Sequence, residues 1–380
     1  MKVLVAHSRY SADPNTGENV HVDRESAALE HVGVTVTRYT PSSADLGAGR
    51  LAARSLWSRS AARDISQLLA DNAVDVLHVH NVQPMLSPAV ISTAARAGVP
   101  VVATVHNYRF RCLPAINFRD GHVCHDCRPA NLFLPGVAHR CYRDSAAGSA
   151  IAAIGQLPAR FTRRHVGRWL AISHHVAARL RADGFPDDRI AVHHNFAPDP
   201  GAGPTTRTDE LLYAGKLTED KGVRLLLDTW TRAPDVPGRL LIAGHGPLEP
   251  EVRAVAAADA RVRYLGTASM DELTAIRRRC SAAVVPSLWE EPFGLTAVEA
   301  MAAGTPVVTT GTGGLADVVD ELSGWIVAPT VGALAAGIAA AVANRGTKGD
   351  AARARYLELF TEDVAVQRLV NHYEAVMRGA

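Results

Sequence analysis

Short β-branched runs alternate with helix-patterned stretches along most of this chain, and that rhythm constrains its fold more than any other feature. Repeated strand-helix-strand alternation implies βαβ units, hence parallel sheets with helices on their faces. "KVLVAH" opens the series, and a loop with Asn15, Thr16 and Gly17 leads into a helix carrying Val20, Ala27, Ala28 and Val32. "VDVLHVH" and "PVVATVH" supply two further strands, each ending in a histidine. His80 and His106 therefore fall at strand C-termini, the edge at which open α/β sheets bind ligands.

The alternation restarts after Asn195 to Thr206, "NFAPDPGAGPTT", whose Pro, Gly and Thr content reads as an interdomain linker. "LLYAG", "RLLIAG", "VRYLG", "AAVVPS", "PVVTT" and "GWIV" are the strands of the second half, and Ser269 with Glu272 forms a capping box. Thr361 to Arg378 sets Val364, Leu369, Tyr373 and Val376 roughly on one helical face. The expectation is an α/β protein of two doubly wound parallel-sheet domains. Residues 1–197 form the first, with a Cys-rich insertion at about 109–145; residues 207–358 form the second. Residues 359–380 form a terminal helix that packs back on the first.

A length of 380 residues accommodates two such domains. Forty Lys+Arg against 38 Asp+Glu exclude a protein that coats nucleic acid through many phosphate contacts. With 47% hydrophobic and 21% charged residues the chain is neither disordered nor fibrous. Lys2 precedes only a four-residue apolar run, shorter than the core of a secretory leader, which suggests a cytoplasmic protein. Leu322 to Asn344 is long enough to span a bilayer, but Ser323, Gly324, Pro329 and Thr330 divide it into a strand and a small-residue helix.

The segment "EPFGLTAVE" carries the strongest chemical signal. A strand ending at Ser287, a turn at Gly294 and a helix through Glu299 and Met301 would set Glu291 and Glu299 near one helical face. Gly294 allows close approach of a ligand, and the N–H groups of Leu295 and Thr296 at the helix start favour an anion. Two solvated glutamates beside an ordinary turn are the alternative. "GKLTEDKG" puts Lys216 after a strand and Lys221 in the first turn of the next helix, where a cation is disfavoured unless an anionic ligand joins it. "AGHGP" repeats the pattern, with Gly244 and Gly246 suited to a tight turn.

"GKLTEDKG", "AGHGP", "LGTASMDEL", "PSLWEEPFGLTAVEAMAAGTPVV" and "GTGGLADVV", in this order, resemble glycosyltransferase family 4, whose members are retaining enzymes of the GT-B fold. The likeness is most specific from Leu211 to Asp320, and it extends to Gly17, Glu18 and Asn19 and to His106 and Asn107. It implies that Lys216 and Lys221 hold the diphosphate of a UDP- or GDP-sugar, with Gly17 facing the same phosphates across a cleft. Glu299 would bind the ribose, and Glu291 the sugar hydroxyls together with backbone N–H groups from Phe293, Gly294, Leu295 and Thr296. His106 would lie beside the transferring sugar, with Glu291 and Lys221 completing the catalytic set. Lys216 stands where the family often has Arg, which keeps the charge and loses the bidentate fork. Two lysines and a helix start can stabilise a departing diphosphate without a catalytic metal. Glu18 and Asn19 read equally as an ordinary helix start, and His106 as a strand-end histidine bonded to a loop; His80 carries less weight.

Four of the five cysteines, Cys112, Cys124, Cys127 and Cys141, fall in one Gly- and Pro-interrupted segment. Their spacing fits a structural Cys₄ zinc site bracing a loop poor in apolar residues; disulfides, a redox pair or unligated thiols are the alternatives, and His122, His125 or His139 could replace a cysteine. The charge is uneven, with 22 Lys+Arg against 16 Asp+Glu up to residue 200 and 18 against 22 beyond it. From Arg109 to Arg168 the arginines are Arg109, Arg111, Arg119, Arg128, Arg140, Arg143, Arg160, Arg163, Arg164 and Arg168. A surface of that kind could meet an anionic acceptor or the inner face of a membrane bearing a lipid-linked one; a solvated basic face is the alternative. Lipid carriers, glycans and small metabolites are all open as hydroxyl acceptors. A sugar-nucleotide epimerase, a phosphorylase and a non-catalytic carbohydrate-binding scaffold are the rival functions.

Overall fold

The runs VLVA, VLHV and VVATV contain no formally charged residue, and in the computed structural model each lies in a strand covered on both faces, as parallel strands require. The structure describes residues 1–9, 17–42, 53–127, 132–204, 206–344 and 347–379. Asn15, Thr16 and Arg128 lie outside these. Two compact units divide the chain, one of Met1–Asn117, Cys124–His194 and Ala365–Ala380, the other of Phe118–Val123 and Asn195–Val364.

The first unit is built on β1 (Lys2–Ala6), β2 (Thr35–Tyr39), β3 (Val76–Val79) and β4 (Val101–Val105). The hairpin strands β5 (Phe118–Arg119) and β6 (His122–Val123) come next in the chain, followed by β7 (Arg168–Ala171) and β8 (Ile190–Val192). The sheet order is β2-β1-β3-β4-β7-β8, parallel throughout. Helices Gly17–His31, Arg59–Asn72, Ala89–Arg96 and His174–Ala182 make the crossovers. Ser58 and Ser173 start two of them by accepting the N–H groups of Ala61 and Val176. The sequence reading passed over β2, β7 and β8. β2 is half-exposed, and β7 and β8 have only four and three residues, so each gives a weak periodic signal.

Between β4 and β7 the chain makes its long excursion. Leu113, Phe133 and Ala153 form a small core there, with Cys127, Val137 and Tyr142 packed against it. The cysteine-bearing segment therefore carries a small apolar cluster of its own. The terminal helix Glu362–Met377 buries Ala365, Val366, Leu369, Tyr373 and Val376. Val364 is only half-buried, one step off that face. The Tyr373 hydroxyl is 2.7 Å from His78 Nδ1, beneath the first sheet.

The second unit repeats the design with β9 (Glu210–Ala214), β10 (Arg239–Ala243), β11 (Val262–Gly266), β12 (Ala282–Val285), β13 (Val307–Thr309) and β14 (Gly324–Ile326). The order is β11-β10-β9-β12-β13-β14, again all parallel. Leu211, Tyr213, Leu226, Trp230, Ile242, Val284 and Ile338 belong to its core. The Ser269–Glu272 capping box is present, and Leu322 to Asn344 is divided into β14 and the helix Val331–Ala343. The Pro- and Gly-rich stretch after Asn195 is strapped down by its own unit. Tyr356 donates to Ala197 O at 2.9 Å, Arg353 forks onto Asp199 at 2.6 and 2.7 Å, and Arg278 reaches Pro200 O and Ala202 O at 2.6 and 3.0 Å.

The seat of the terminal helix depends on a buried polar contact, so Tyr373→Phe should lower the unfolding free energy by about 1–2 kcal/mol in urea melts. An unchanged midpoint would show that the Tyr373–His78 contact does not hold the helix.

Candidate active site

In an open parallel sheet, ligands bind outside the C-terminal strand ends, where the strand order reverses. That point lies between β9 and β12 in the second unit and between β1 and β3 in the first.

At the second unit's reversal the loops following β9, β10, β12 and β13 are tied to one another. Leu217 N–H donates to His245 O at 2.9 Å and Leu248 N–H to Leu217 O at 3.0 Å. Leu288 N–H donates to Asp220 O at 2.8 Å, and the hydroxyls of Thr310 and Thr312 reach Ser287 O at 2.6 and 3.0 Å. Gly244 has φ 138°, and a Cβ there would run into the Gly215 carbonyl, so only glycine allows the approach. Gly246 sits in the same turn, beside the Leu217 backbone.

These ties bring Lys221 to Glu291. Lys221 Nζ is 2.9 and 2.7 Å from the two carboxylate oxygens and 4.5 Å from the centre of the Trp289 ring. Trp289 Nε1 and Ser287 Oγ donate to Glu291 Oε2 at 3.0 and 3.1 Å. Lys221 lies in the turn before the helix Val223–Arg232, not in the helix's first turn as expected, because Gly222 at φ 73° is its N-cap. The carboxylates differ from expectation too. β12 ends at Val285, and Glu291 precedes the left-handed Gly294 at φ 102°, so only Glu299 is on the helix Leu295–Ala302. Glu299 pairs with the buried Arg277. Leu295 and Thr296 are half-buried at the helix start, whereas the Phe293 side chain is buried with its ring 5.8 Å from that of Phe360. Lys216 is exposed, and its carbonyl accepts the Tyr213 hydroxyl at 2.6 Å. Trp289, Ser287 and Arg277 were not singled out from sequence; Trp289 and Ser287 stand within the same motif.

At the first unit's reversal, imidazoles gather around one carboxylate. Glu25, buried on the helix Gly17–His31, has Oε1 3.2 Å from His80 Nε2 and 3.4 Å from His78 Nδ1. Its Oε2 is 3.3 Å from His21 Nε2 and 3.6 Å from His193 Nε2. Burial pushes the Glu25 carboxyl up, but the imidazoles of His80, His193 and His21 outweigh it and hold the group well below the usual range. Burial also lowers His21, His78 and His106, and takes His7 and His372 down to about 4. His106 Nε2 is 2.9 Å from His80 Nδ1. Asn19 Oδ1 is 2.7 Å from His7 Nε2, Asn107 donates to Glu18 at 3.2 Å, and burial pushes the Glu18 carboxyl up. Gly17 is exposed at the head of its helix. Sequence reading missed Glu25 and undervalued His80, although alternation in "VLHVH" places His78 and His80 on the same side of β3.

His80 and His106 line a cavity with Asn107, Arg109, Phe110 and Trp169.

The four clustered cysteines are half-buried thiols. Burial raises Cys112 and takes Cys127 to about 11. Cys112 Sγ accepts the Asn117 N–H at 3.3 Å, yet among the described residues no three of these sulfurs lie within 4.8 Å of one another. The arginines do not form one solvated face. Arg111 is buried against Asp183 at 3.0 Å, and Arg163 stacks 4.0 Å above the Phe185 ring, whereas Arg140, Arg143 and Arg164 are exposed.

Residues 3–195 match the glycosyl transferase 4-like domain, and residues 208–344 match the glycosyl transferases group 1. Among curated proteins, glycogen synthase of Mycobacterium tuberculosis (strain CDC 1551 / Oshkosh) is 37% identical over 190 residues, 46% of this chain and 45% of that protein. D-inositol 3-phosphate glycosyltransferase of Mycobacterium sp. (strain KMS) is 37% identical over 139 residues, 34% of this chain and 29% of that protein. These matches thus span less than half the length of either relative. Among solved structures, sucrose-phosphate synthase from Thermosynechococcus elongatus superposes with a TM-score of 0.72 at 18% identity, over 99% of this chain and 100% of that one. Anabaena Alr3699/HepE in complex with UDP does so with 0.67 at 17%, over 99% and 100%. Likeness at that identity shows the two-domain GT-B fold.

The histidine basin gives stability a pH dependence. His7, His21, His78, His106 and His372 stay neutral in the fold but take up protons in the unfolded chain below about pH 6.5, so unfolding binds protons and stability falls as pH drops. Each contributes up to about 1.4 kcal/mol per pH unit, down to its folded pKa of about 4 for His7 and His372. Glu18 and Asp183, whose carboxyls burial pushes up, oppose them, two groups against five. Unfolding free energies at pH 7.5 and 5.5 should differ by several kcal/mol, the lower pH being less stable; equal values would contradict the neutral basin.

Proposed function

We propose that this chain, which belongs to the family of group 1 glycosyl transferases, moves a sugar from a UDP- or GDP-sugar to an acceptor hydroxyl with retention of configuration. The observation that carries this reading is the loop cluster at the β9/β12 reversal, where Lys216, Lys221, Glu291, Glu299 and the start of the helix Leu295–Ala302 lie in tied segments. Residues 207–358 would be the donor domain and residues 1–197 the acceptor side, with the helix of residues 359–380 returning to the first. The Anabaena structure solved with UDP-glucose supports a nucleotide-sugar donor, UDP-glucose being its ligand.

The chemistry follows from charge. As the bond from the sugar's anomeric carbon to the diphosphate breaks, negative charge grows on the phosphate oxygens and the sugar becomes cationic. Lys216, Lys221 and the N–H groups of Leu295 and Thr296 would bear on that growing charge. The acceptor oxygen bonds the anomeric carbon on the same face, and its proton passes to the departing phosphate oxygen. Glu291 would orient sugar hydroxyls, with backbone N–H groups from Phe293 and Gly294. Glu299 would bind the ribose, and Gly17, Gly244 and Gly246 would let backbone approach the nucleotide. Lys221 already neutralises Glu291, so a phosphate would have to share the ammonium with it.

A lipid-borne acceptor has an observation of its own. Ile151, Ile154, Leu157 and Phe161 are 46, 48, 37 and 71% exposed and recur every three or four residues over the helices Ala146–Gly155 and Leu157–Thr162. Neither helix holds an acidic residue, and Arg164 is exposed just beyond them. An apolar stripe with a cationic flank suits an anionic bilayer surface. Among the described residues no helix is long and apolar enough to cross a membrane.

Lys221→Ala should cut turnover with UDP- or GDP-sugars by on the order of 10²-fold while weakening donor binding far less; equal losses in kcat and affinity would contradict the assigned role. In vesicle co-sedimentation, anionic phosphatidylglycerol vesicles should bring down the protein and neutral ones should not, and Phe161→Ser with Ile154→Ser should abolish binding. Indifference to lipid charge or to these substitutions would overturn the surface assignment.

A further inference from the structure

Three buried or half-buried groups stand in a row in the first unit. Glu25 Oε1 is 3.2 Å from His80 Nε2, and His80 Nδ1 is 2.9 Å from His106 Nε2. The two imidazole planes are 17° apart. Glu25 can only accept when ionised. At 3.2 Å a lone pair on His80 Nε2 would face a lone pair on the carboxylate, so that nitrogen carries the proton, although the approach is oblique to hydrogen-bond geometry. With His80 neutral its Nδ1 is the acceptor, and the 2.9 Å contact then places the proton on His106 Nε2. His106 is left with a lone pair on Nδ1, on a ring that lines the cavity.

We propose that Glu25 and His80 are positioning residues that lock His106 in its Nε2–H tautomer, so that His106 Nδ1 accepts a hydrogen bond from a hydroxyl of the bound substrate. The catalytic consequence rests on the transferase reading; the tautomer does not. The three side chains reach one another from separate elements, the helix Gly17–His31 and the ends of β3 and β4, and the terminal helix closes the basin through Tyr373. His21, His78 and His193 also face the Glu25 carboxylate, which keeps it within imidazole donors on several sides.

Glu25→Gln is the discriminating variant. Its amide can donate to His80 Nε2, which inverts both imidazoles and leaves His106 with a proton on Nδ1. Nitrogen-15 NMR of the full chain labelled at histidine should show a protonated Nε2 and bare Nδ1 for His106, reversed in the Glu25→Gln protein, without any substrate present. Turnover should fall by about 10²-fold with donor KM nearly unchanged. Where Glu25→Gln does not fold, His80→Phe keeps the stacked ring and removes the relay, and His106 should then show a mixture of tautomers. The opposite tautomer in the native protein, or an unchanged single tautomer in either variant, overturns the relay. A correct tautomer with no transferase activity would leave the relay standing and overturn the functional reading instead.

Discussion

A parallel sheet covered on both faces leaves charged side chains almost nowhere to stand except at the ends of its strands, because an unpaired charge within it would lose its hydration without compensation. The central strands of both six-stranded sheets obey that constraint. These strands carry no charged carboxylate, lysine or arginine in mid-strand, whereas the edge strands β2 and β11 carry Arg38 and Arg263, and the lysines, glutamates and glycines suited to chemistry gather beyond the C-terminal ends. Reversal of strand order between β9 and β12, and between β1 and β3, separates the flanking loops and makes room there for polar groups.

The two edges solve the problem of charge differently. In the second unit Lys221 and Glu291 compensate one another, assisted by Trp289 and Ser287, at the rim where water still reaches them. Glu299 is compensated by Arg277 from the neighbouring helix. In the first unit Glu25 is fully buried and is met by imidazoles instead of a fixed cation. Histidine suits that place because each ring presents one donor and one acceptor, so a single carboxylate can order several rings. Order imposed at Glu25 reaches His106 through His80 and so reaches the cavity.

How much of this was legible in the sequence depends on whether the signal was local. The strands "KVLVA", "RLLIA" and "GWIV", the capping box at Ser269 and the motif around Gly294 are local, and they were readable as such. The convergence of loops at Lys216, Lys221 and Glu291 was legible only through resemblance, since their contacts join residues 70 apart. The Glu25 basin was illegible because Glu25 sits in mid-helix amid ordinary residues, and its partners come from its own helix and from two distant segments, the end of β3 and the chain after β8. Cysteine spacing did not reveal the small core of Leu113, Phe133 and Ala153 in the same segment, because those residues are far apart in the chain. Summed charge likewise concealed that Arg111 is buried and Arg163 half-buried against Phe185.

We propose that the C-terminal edge of the second sheet holds a nucleotide diphosphate sugar. Hydrogen exchange with and without UDP and GDP, followed by mass spectrometry, tests it most directly. The account predicts nucleotide-dependent protection in residues 215–222, 244–248 and 286–299, lost in a Lys216→Ala, Glu299→Ala protein. Protection elsewhere in the chain, or none with either nucleotide at saturating concentration, would contradict it.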